Sequence, residues 1–128
     1  MDYYYNILIT GCSSGLGEAL FNKVWEHDFL KPFGHYRTED GDPYALIGDI
    51  TDLDFPEKLD NYIREREIDC FINNAGVYQG EIIDTNLGSQ IRMLQVVYKY
   101  FLEREKGRII NINSVAGLYP SANESIYC

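Results

Sequence analysis

Cysteine and histidine are scarce in this chain, which has three cysteines and two histidines among its 128 residues. Cys12, Cys70 and Cys128 form no C-x-x-C pair, and so sparse a set excludes the disulfide framework of a small secreted domain. We interpret them as reduced thiols of a cytoplasmic protein. His27 and His35 lack the spacing of metal ligands, and we therefore expect no metal site.

Basic residues and long apolar runs are also lacking. The chain has 11 Lys and Arg residues against 20 Asp and Glu, which gives a formal net charge of −9 and a pI near 4.5. This balance argues against nucleic acid or an anionic membrane as the main partner. No apolar run is long enough to span a bilayer, and the N-terminus has no basic start of a signal peptide. An anionic cofactor remains compatible with the sequence, because backbone N–H groups bind anions locally.

Hydrophobic residues make up 45% of the chain, which suffices for a buried core, and no repeat or linker divides it. Apolar runs predict five strands, and apolar residues at helical spacing predict three helices. This alternation is typical of a doubly wound α/β fold, a parallel sheet between two layers of helices. Pro32 is expected at the start of the second strand or on a sheet edge. The strands are predicted at about residues 4–9, 29–37, 44–48, 68–72 and 108–112, and the helices at about 16–25, 54–66 and 85–105.

A glycine-rich stretch, residues 10–17 with the sequence T-G-C-S-S-G-L-G, joins the first predicted strand to the first predicted helix. That is the context of a dinucleotide-phosphate loop. We expect Gly11 to allow the tight turn, Gly15 to let the backbone approach the phosphates, and Gly17 to let the helix pack closely. The helix N-terminus would add free N–H groups. The alternative is an ordinary glycine-rich turn. The residues expected to form this part of a cofactor site are Gly11, Cys12, Ser13, Ser14, Gly15, Leu16 and Gly17.

Five signatures in a fixed order carry a resemblance to a known family. They are the glycine-rich stretch, Asp49 after the third predicted strand, the run N-N-A-G at residues 73–76, Asn86 at the start of the long helix, and Ser114 thirteen residues before Tyr127. Together they make nearly the whole chain resemble the short-chain dehydrogenase/reductase family. The resemblance implies one NAD(P)-binding Rossmann domain over residues 1–128.

The resemblance also implies an activity, the transfer of a hydride between a nicotinamide and a small carbonyl or alcohol substrate. Tyr127 would then be the acid/base, Ser114 would hydrogen-bond the substrate oxygen, and Asn86 would hold a water in the proton relay. Taken alone, Asn86 is equally a helix N-cap and Ser114 a turn serine. Other positions would contact the cofactor: Asp49 and Ile50 near the adenine, and Asn74, Ala75 and Gly76 near the ribose.

The end of the second predicted strand bears on cofactor choice. An acidic residue there would bind the ribose hydroxyls of NAD, but this chain has no carboxylate between His35 and Glu39. Arg37 could instead pair with the 2′-phosphate of NADP. We therefore expect NADP in preference to NAD. The alternative is a solvated arginine with no ligand.

The sequence stops at Cys128, one residue after Tyr127, whereas the family motif is Tyr-x-x-x-Lys. That lysine binds the nicotinamide ribose in the family and assists the tyrosine. We expect the chain to be the N-terminal part of a compact reductase, with a Rossmann sheet truncated after the fifth strand and inactive by itself. Its bare fifth strand and long helix would favour a homo-oligomer. Two alternatives are a dinucleotide-binding protein without catalysis and a protein-interaction module without a ligand.

Overall fold

The computed structural model describes residues 3–39, 41–77, 80–119, 121–124 and 126–127. Within these ranges a π-helical turn at Asp84–Gly88 leads into the last α-helix, and a 3-10 turn at Val115–Gly117 follows the last strand. The strands are β1 (Tyr5–Ile9), β2 (Leu30–Tyr36), β3 (Leu46–Ile47), β4 (Cys70–Asn73) and β5 (Arg108–Asn111), and the α-helices are α1 (Gly15–Trp25), α2 (Phe55–Glu65) and α3 (Ser89–Arg104).

The five strands form one parallel sheet in the order β3-β2-β1-β4-β5. The predicted doubly wound α/β fold is thereby confirmed. The chain runs outward from β1 to β3 and then returns to the other side of β1 with β4. That reversal is the topological switch point of such a sheet, and ligands bind in the crevice at its carboxyl edge.

Both faces of the sheet are covered, because successive strand residues point to opposite sides. Ile7 and Ile9 pack with residues of α1, whereas Leu8 between them belongs to the cluster under α2 and α3. The α1 side also buries Cys70 and Ile72. The larger cluster includes Leu8, Phe33, Phe55, Leu59, Ile63, Phe71, Met93, Val97 and Phe101. The arrangement is a three-layer αβα domain.

Pro32 is the third residue of β2, opposite Ile7 of β1. It is tolerated because β3 pairs with β2 only at His35 and Tyr36. One side of Pro32 therefore lies at a sheet edge, which is one of the two predicted positions. In the described part of the chain, β3 follows β2 without an intervening helix.

Helix α3 carries apolar residues on two faces rather than in one stripe. The first face is buried against the sheet and α2 and contains Met93, Val97, Tyr100 and Phe101. The second face is 48–63% exposed and contains Ile91, Tyr98 and Leu102, and the exposed Leu87 of the π-helical turn precedes it. On the neighbouring strand β5, the Ile110 side chain is also exposed. The predicted bare surface of the long helix and the fifth strand is therefore present. Among the described helices, none combines the length and apolar character needed to cross a membrane.

Thr10 ties together the carboxyl ends of β1 and β4. Its side chain is fully buried, and Oγ1 accepts hydrogen bonds from the backbone N–H groups of Asn74 and Ala75, both at 2.9 Å. The Thr10 backbone N–H donates to the carbonyl oxygen of Ile72 at 3.1 Å. The loop after β4 is thereby fixed against the turn after β1, at the switch point of the sheet.

We predict that Thr10→Val lowers the free energy of unfolding by about 2 kcal/mol, because two part-buried N–H groups lose their buried acceptor. Thr10→Ser is the matched control. It keeps the hydroxyl and loses one buried methyl, so its cost is about 1 kcal/mol. Chemical denaturation of the three proteins measures both changes. Equal stability of the valine and serine variants would contradict the assigned role of the hydroxyl.

Candidate functional site

The glycine-rich stretch forms a tight turn between β1 and α1. Gly11 has φ +72° and Gly15 has φ +58°, a region that side chains rarely adopt. A Cβ at Gly17 would overlap the carbonyl oxygen of Gly11. Glycine at position 17 therefore allows α1 to start directly against the turn.

The N-terminus of α1 faces this turn with Ser14 as its N-cap. Ser14 has an extended backbone, and its side chain makes no capping hydrogen bond within the described structure. The first-turn N–H groups of a helix lack partners in the helix itself, and they lie at the positive end of its dipole. Apart from its chain neighbours and the backbone of α1, the described residues place no atom within 4 Å of a Cβ built at Gly15. The turn can thus receive an anion on bare backbone.

Two of the predicted contacts have side chains that point inward. The Cys12 side chain is buried and its Sγ lies 3.1 Å from the carbonyl oxygen of Ile9. Ile50, the predicted adenine neighbour, is 6% exposed and packs in the core under α2. Neither side chain is therefore on the surface. In contrast, Ser13, Ser14, Gly15 and Leu16 are exposed.

Asn74 holds the glycine-rich turn from the β4 side. Its Nδ2 donates to the carbonyl oxygens of Thr10 at 3.0 Å and Gly11 at 3.3 Å. Sequence reasoning assigned Asn74 to the ribose and omitted Thr10 from the site. The structure gives both a role in shaping the turn. The T-G at the start of the motif was the available signal for Thr10.

On the opposite side of the turn, Arg37 and Asp49 approach each other after β2 and β3. The Nε of Arg37 lies 3.3 Å from Oδ2 of Asp49, and the arginine side chain is 80% exposed. Oδ1 of Asp49 accepts from the backbone N–H of Thr51 at 2.9 Å and from its hydroxyl at 2.7 Å. These two hydrogen bonds, together with Arg37, hold the pKa of Asp49 below its usual value. The carboxylate stays charged at neutral pH.

An open cleft of about 810 Å³ lies at the carboxyl ends of β4 and β5. It brings together the three predicted catalytic residues Asn86, Ser114 and Tyr127. The predicted ribose contacts Asn74, Ala75 and Gly76 line the same cleft. Residues far apart in the sequence thus meet at one edge of the sheet. The glycine-rich turn, Arg37, Asp49 and Ile50 are outside its lining and follow β1, β2 and β3.

Asn86 lies within the π-helical turn, so its alternative assignment as a helix N-cap is wrong. Its Oδ1 accepts from the backbone N–H of Val77 at 2.8 Å, and its Nδ2 donates to the carbonyl oxygen of the same residue. The side chain therefore clamps the loop that follows β4. A Cβ at Gly76 would lie 3.1 Å from Oδ1 of Asn86, so the loop runs tightly past it.

Gln90, one turn beyond Asn86, is a cleft residue that sequence reasoning missed. Its Nε2 donates to the carbonyl oxygens of Ala75 at 2.7 Å and Thr85 at 3.1 Å. It fixes the same loop at a second point. The signal in the sequence that could have identified Gln90 is its position as a polar residue within the apolar stripe of a predicted helix.

Ser114 follows β5 and begins the 3-10 turn. Its Oγ accepts from the backbone N–H of Ala116 at 3.1 Å, as the turn-serine alternative predicted. The hydroxyl proton is not used in that hydrogen bond, so Ser114 can still donate to a ligand in the cleft. Within the described residues, no group of three or more His, Cys, Asp or Glu side chains could hold a metal ion.

Comparison with known proteins agrees with this geometry. The family model for short chain dehydrogenases matches residues 5–128. A probable NADP-dependent dehydrogenase of Haemophilus influenzae is 28% identical, in an alignment that covers 94% of this chain and 57% of the relative. A 3-oxoacyl-(acyl-carrier-protein) reductase of Salmonella typhimurium is also 28% identical, with 94% and 59% covered. The chain therefore spans somewhat more than half the length of these curated relatives.

Solved structures share the fold. Serine dehydrogenase from Escherichia coli superposes with a TM-score of 0.81 at 26% identity, covering 95% of this chain and 68% of the other. A short-chain dehydrogenase from Sphingobium yanoikuyae, solved in complex with NADPH, gives a TM-score of 0.77 at 26% identity, with 96% and 59% covered. Because the family pattern runs from β1 to the last residue and the fold agrees, this chain belongs to the short-chain dehydrogenase family.

Proposed function

We propose that this chain is the cofactor-binding part of an NADP-dependent oxidoreductase that interconverts a small carbonyl compound and its alcohol. The observation that carries the proposal is the cleft at the carboxyl ends of β4 and β5, where Asn86, Ser114 and Tyr127 lie beside the loop at residues 74–76. A cytoplasmic location remains the prediction from the scarce thiols.

The glycine-rich turn fits the pyrophosphate of a dinucleotide. The space over Gly15 and the uncapped start of α1 leave N–H groups for phosphate oxygens. Arg37, on the flank of the turn, is exposed and positively charged, which supports a contact with the 2′-phosphate of NADP. The H. influenzae relative is named as NADP-dependent, and the S. yanoikuyae structure contains NADPH. Both support NADP in preference to NAD.

The chemistry that a bound nicotinamide supplies is hydride transfer to or from the substrate carbon. The phenol of Tyr127 would exchange a proton with the substrate oxygen. The hydroxyl of Ser114 would donate a hydrogen bond to that same oxygen and orient it. Asn86 would act through the loop that it clamps at Val77 and through a water of the proton relay. These roles agree with the way the three residues share one cleft.

The exposed face of α3 supports a homo-oligomer. Ile91, Tyr98 and Leu102 form one apolar side of the helix, and large apolar patches on a protein surface mark interaction sites. We propose that a second copy of the chain packs on this face.

The phosphate site is tested by Gly15→Ala. A side chain there strains the turn and enters the space left for the phosphates, so NADPH affinity should fall about tenfold or more. Gly41→Ala is the matched control, because Gly41 also has a positive φ and, within the described structure, no neighbour within 4 Å of a built Cβ. Fluorescence titration with NADPH compares the three proteins. Equal weakening in both variants would argue against the assigned site.

Cofactor preference is tested by Arg37→Gln. Loss of a charge-assisted contact should weaken NADPH binding about tenfold and leave NADH binding nearly unchanged. Arg108→Gln removes the same charge from the start of β5, at the opposite edge of the sheet, and should leave both affinities unchanged. Calorimetric titration with each dinucleotide gives the four comparisons. A parallel loss of NADH affinity in Arg37→Gln would contradict the 2′-phosphate contact.

The proposed interface is tested by Leu102→Lys, which places a charge in the exposed apolar face of α3. We expect the wild-type chain to sediment as a dimer or larger and the variant to shift toward monomer. Leu53→Lys is the control, since Leu53 is an exposed leucine remote from α3 in the sequence and 87% exposed. A wild-type chain that sediments as a monomer at working concentration would refute the interface.

A further inference from the structure

His35 occupies an unusual position in the middle of the proposed cofactor site. It lies near the end of β2 and is 3% exposed. Its Nδ1 accepts a hydrogen bond from the backbone N–H of Gly11 at 3.2 Å, and its Nε2 lies 2.7 Å from the carbonyl oxygen of Gly48. One ring thus spans from the turn after β1 to the segment after β3. The ring of Phe55 packs edge-on against it at 5.3 Å between centroids.

The two partners of His35 determine its protonation state. Gly11 offers a donor, so Nδ1 must carry a free lone pair, whereas Gly48 offers an acceptor, so Nε2 must carry the proton. The neutral imidazole satisfies both partners. The imidazolium cannot, since its Nδ1–H would point at the N–H of Gly11. Protonation therefore breaks one of the two contacts.

The segments that His35 joins are those proposed to hold opposite parts of the dinucleotide. Gly11 opens the turn that receives the pyrophosphate. Gly48 precedes Asp49, which is expected near the adenosine. The His35 side chain bridges them directly. Two backbone hydrogen bonds to β2 support the bridge, from the Cys12 N–H to the His35 carbonyl oxygen at 2.9 Å and from the Gly48 N–H to the Tyr36 carbonyl oxygen at 3.0 Å.

We propose that His35 is a positioning residue for the dinucleotide, that it sets the glycine-rich turn relative to the Gly48–Asp49 segment, and that its protonation releases the turn and weakens binding. This inference rests on the proposed function. It gives the protein a cofactor affinity that decreases under mildly acidic conditions.

The charges around His35 act in opposite directions. Burial lowers the pKa of His35, while the hydrogen bond to Gly48 and the carboxylate of Asp49 oppose that shift. Arg37 pairs with Asp49, Lys58 of α2 donates to the carbonyl oxygen of Ile47, and the thiol of Cys12 lies on the turn. With the pKa lowered from 6.5, the ring is neutral at pH 7. Binding is therefore strong above that value and is lost as the pH falls through the lower pKa of the folded state.

The experiment is a titration with NADPH from about pH 8 to about pH 5, on the wild-type chain and three variants. His35→Gln keeps a donor toward Gly48 and lacks the acceptor for Gly11, so its affinity at the upper end should be about tenfold lower. His35→Asn keeps an acceptor for Gly11 that does not titrate. Its affinity should lose the wild-type decrease at low pH. His27→Asn replaces the other histidine of the chain, which is exposed, and should retain the full wild-type profile.

A parallel series with NADH removes the 2′-phosphate, whose own ionisation lies at about pH 6 by analogy with other phosphate monoesters. The decrease assigned to His35 should be present with both dinucleotides. If the NADPH affinity of His35→Asn falls with pH as it does in the wild-type chain, the inference is overturned. So would unchanged affinity in His35→Gln.

NMR of the wild-type chain gives a readout that does not depend on the variants folding. With two histidines in the chain, each imidazole is followed separately, and the Gly11 amide should titrate with the His35 ring. If the chemical shift of the Gly11 amide does not change as His35 titrates, the inference is refuted even if NADPH binding varies with pH. Absence of any NADPH binding at the upper pH would instead refute the proposed function, and the inference with it. Binding without dependence on His35 would refute the inference alone.

Discussion

The buried hydroxyl of Thr10 is the contact on which the site depends. It accepts hydrogen bonds from the N–H groups of Asn74 and Ala75 and so joins the ends of β1 and β4, the two strands that flank the switch point. The glycine-rich turn continues from Thr10, and the cleft begins at Asn74. A shift at this junction would separate the glycine-rich turn from the cleft. Such a shift would take both N–H groups away from their acceptor, and the loss of two hydrogen bonds opposes it.

The turn after β1 is held on both flanks. On the β4 side, Asn74 donates to the carbonyl oxygens of Thr10 and Gly11. On the β2 side, His35 accepts from the N–H of Gly11. The backbone around Gly11 is thus fixed before a ligand arrives, although its φ of +72° lies in a region that glycine alone adopts readily. Preorganised backbone of this kind binds phosphate without an ordering cost on association.

The fold and the cleft could be predicted from the sequence, and the contacts that hold them could not. The strand and helix patterns and the glycine motif each involve residues that are close together in the sequence, so the sequence alone predicts them. His35 and Gln90 depend instead on partners 24 and 15 residues away. The π-helical turn at Asn86 carries the two hydrogen bonds to Val77, nine residues away, which local propensity does not encode. The two faces of α3 share one apolar pattern in the sequence, and packing alone decides which of them is buried.

An acidic protein that binds an anion must do so through local charge. The formal net charge of −9 repels a dinucleotide. At ordinary ionic strength, salt largely screens this repulsion at distances beyond about 10 Å. Inside that distance the helix N-terminus and Arg37 dominate. In the structure, Arg37 pairs with Asp49, and two hydrogen bonds from Thr51 stabilise the charged form of that carboxylate. A 2′-phosphate carries more negative charge than one carboxylate, so it would bind the Arg37 guanidinium more strongly than Asp49 does. If the proposed 2′-phosphate contact forms, discrimination between the two dinucleotides would depend on how much more strongly Arg37 binds that phosphate than it binds Asp49.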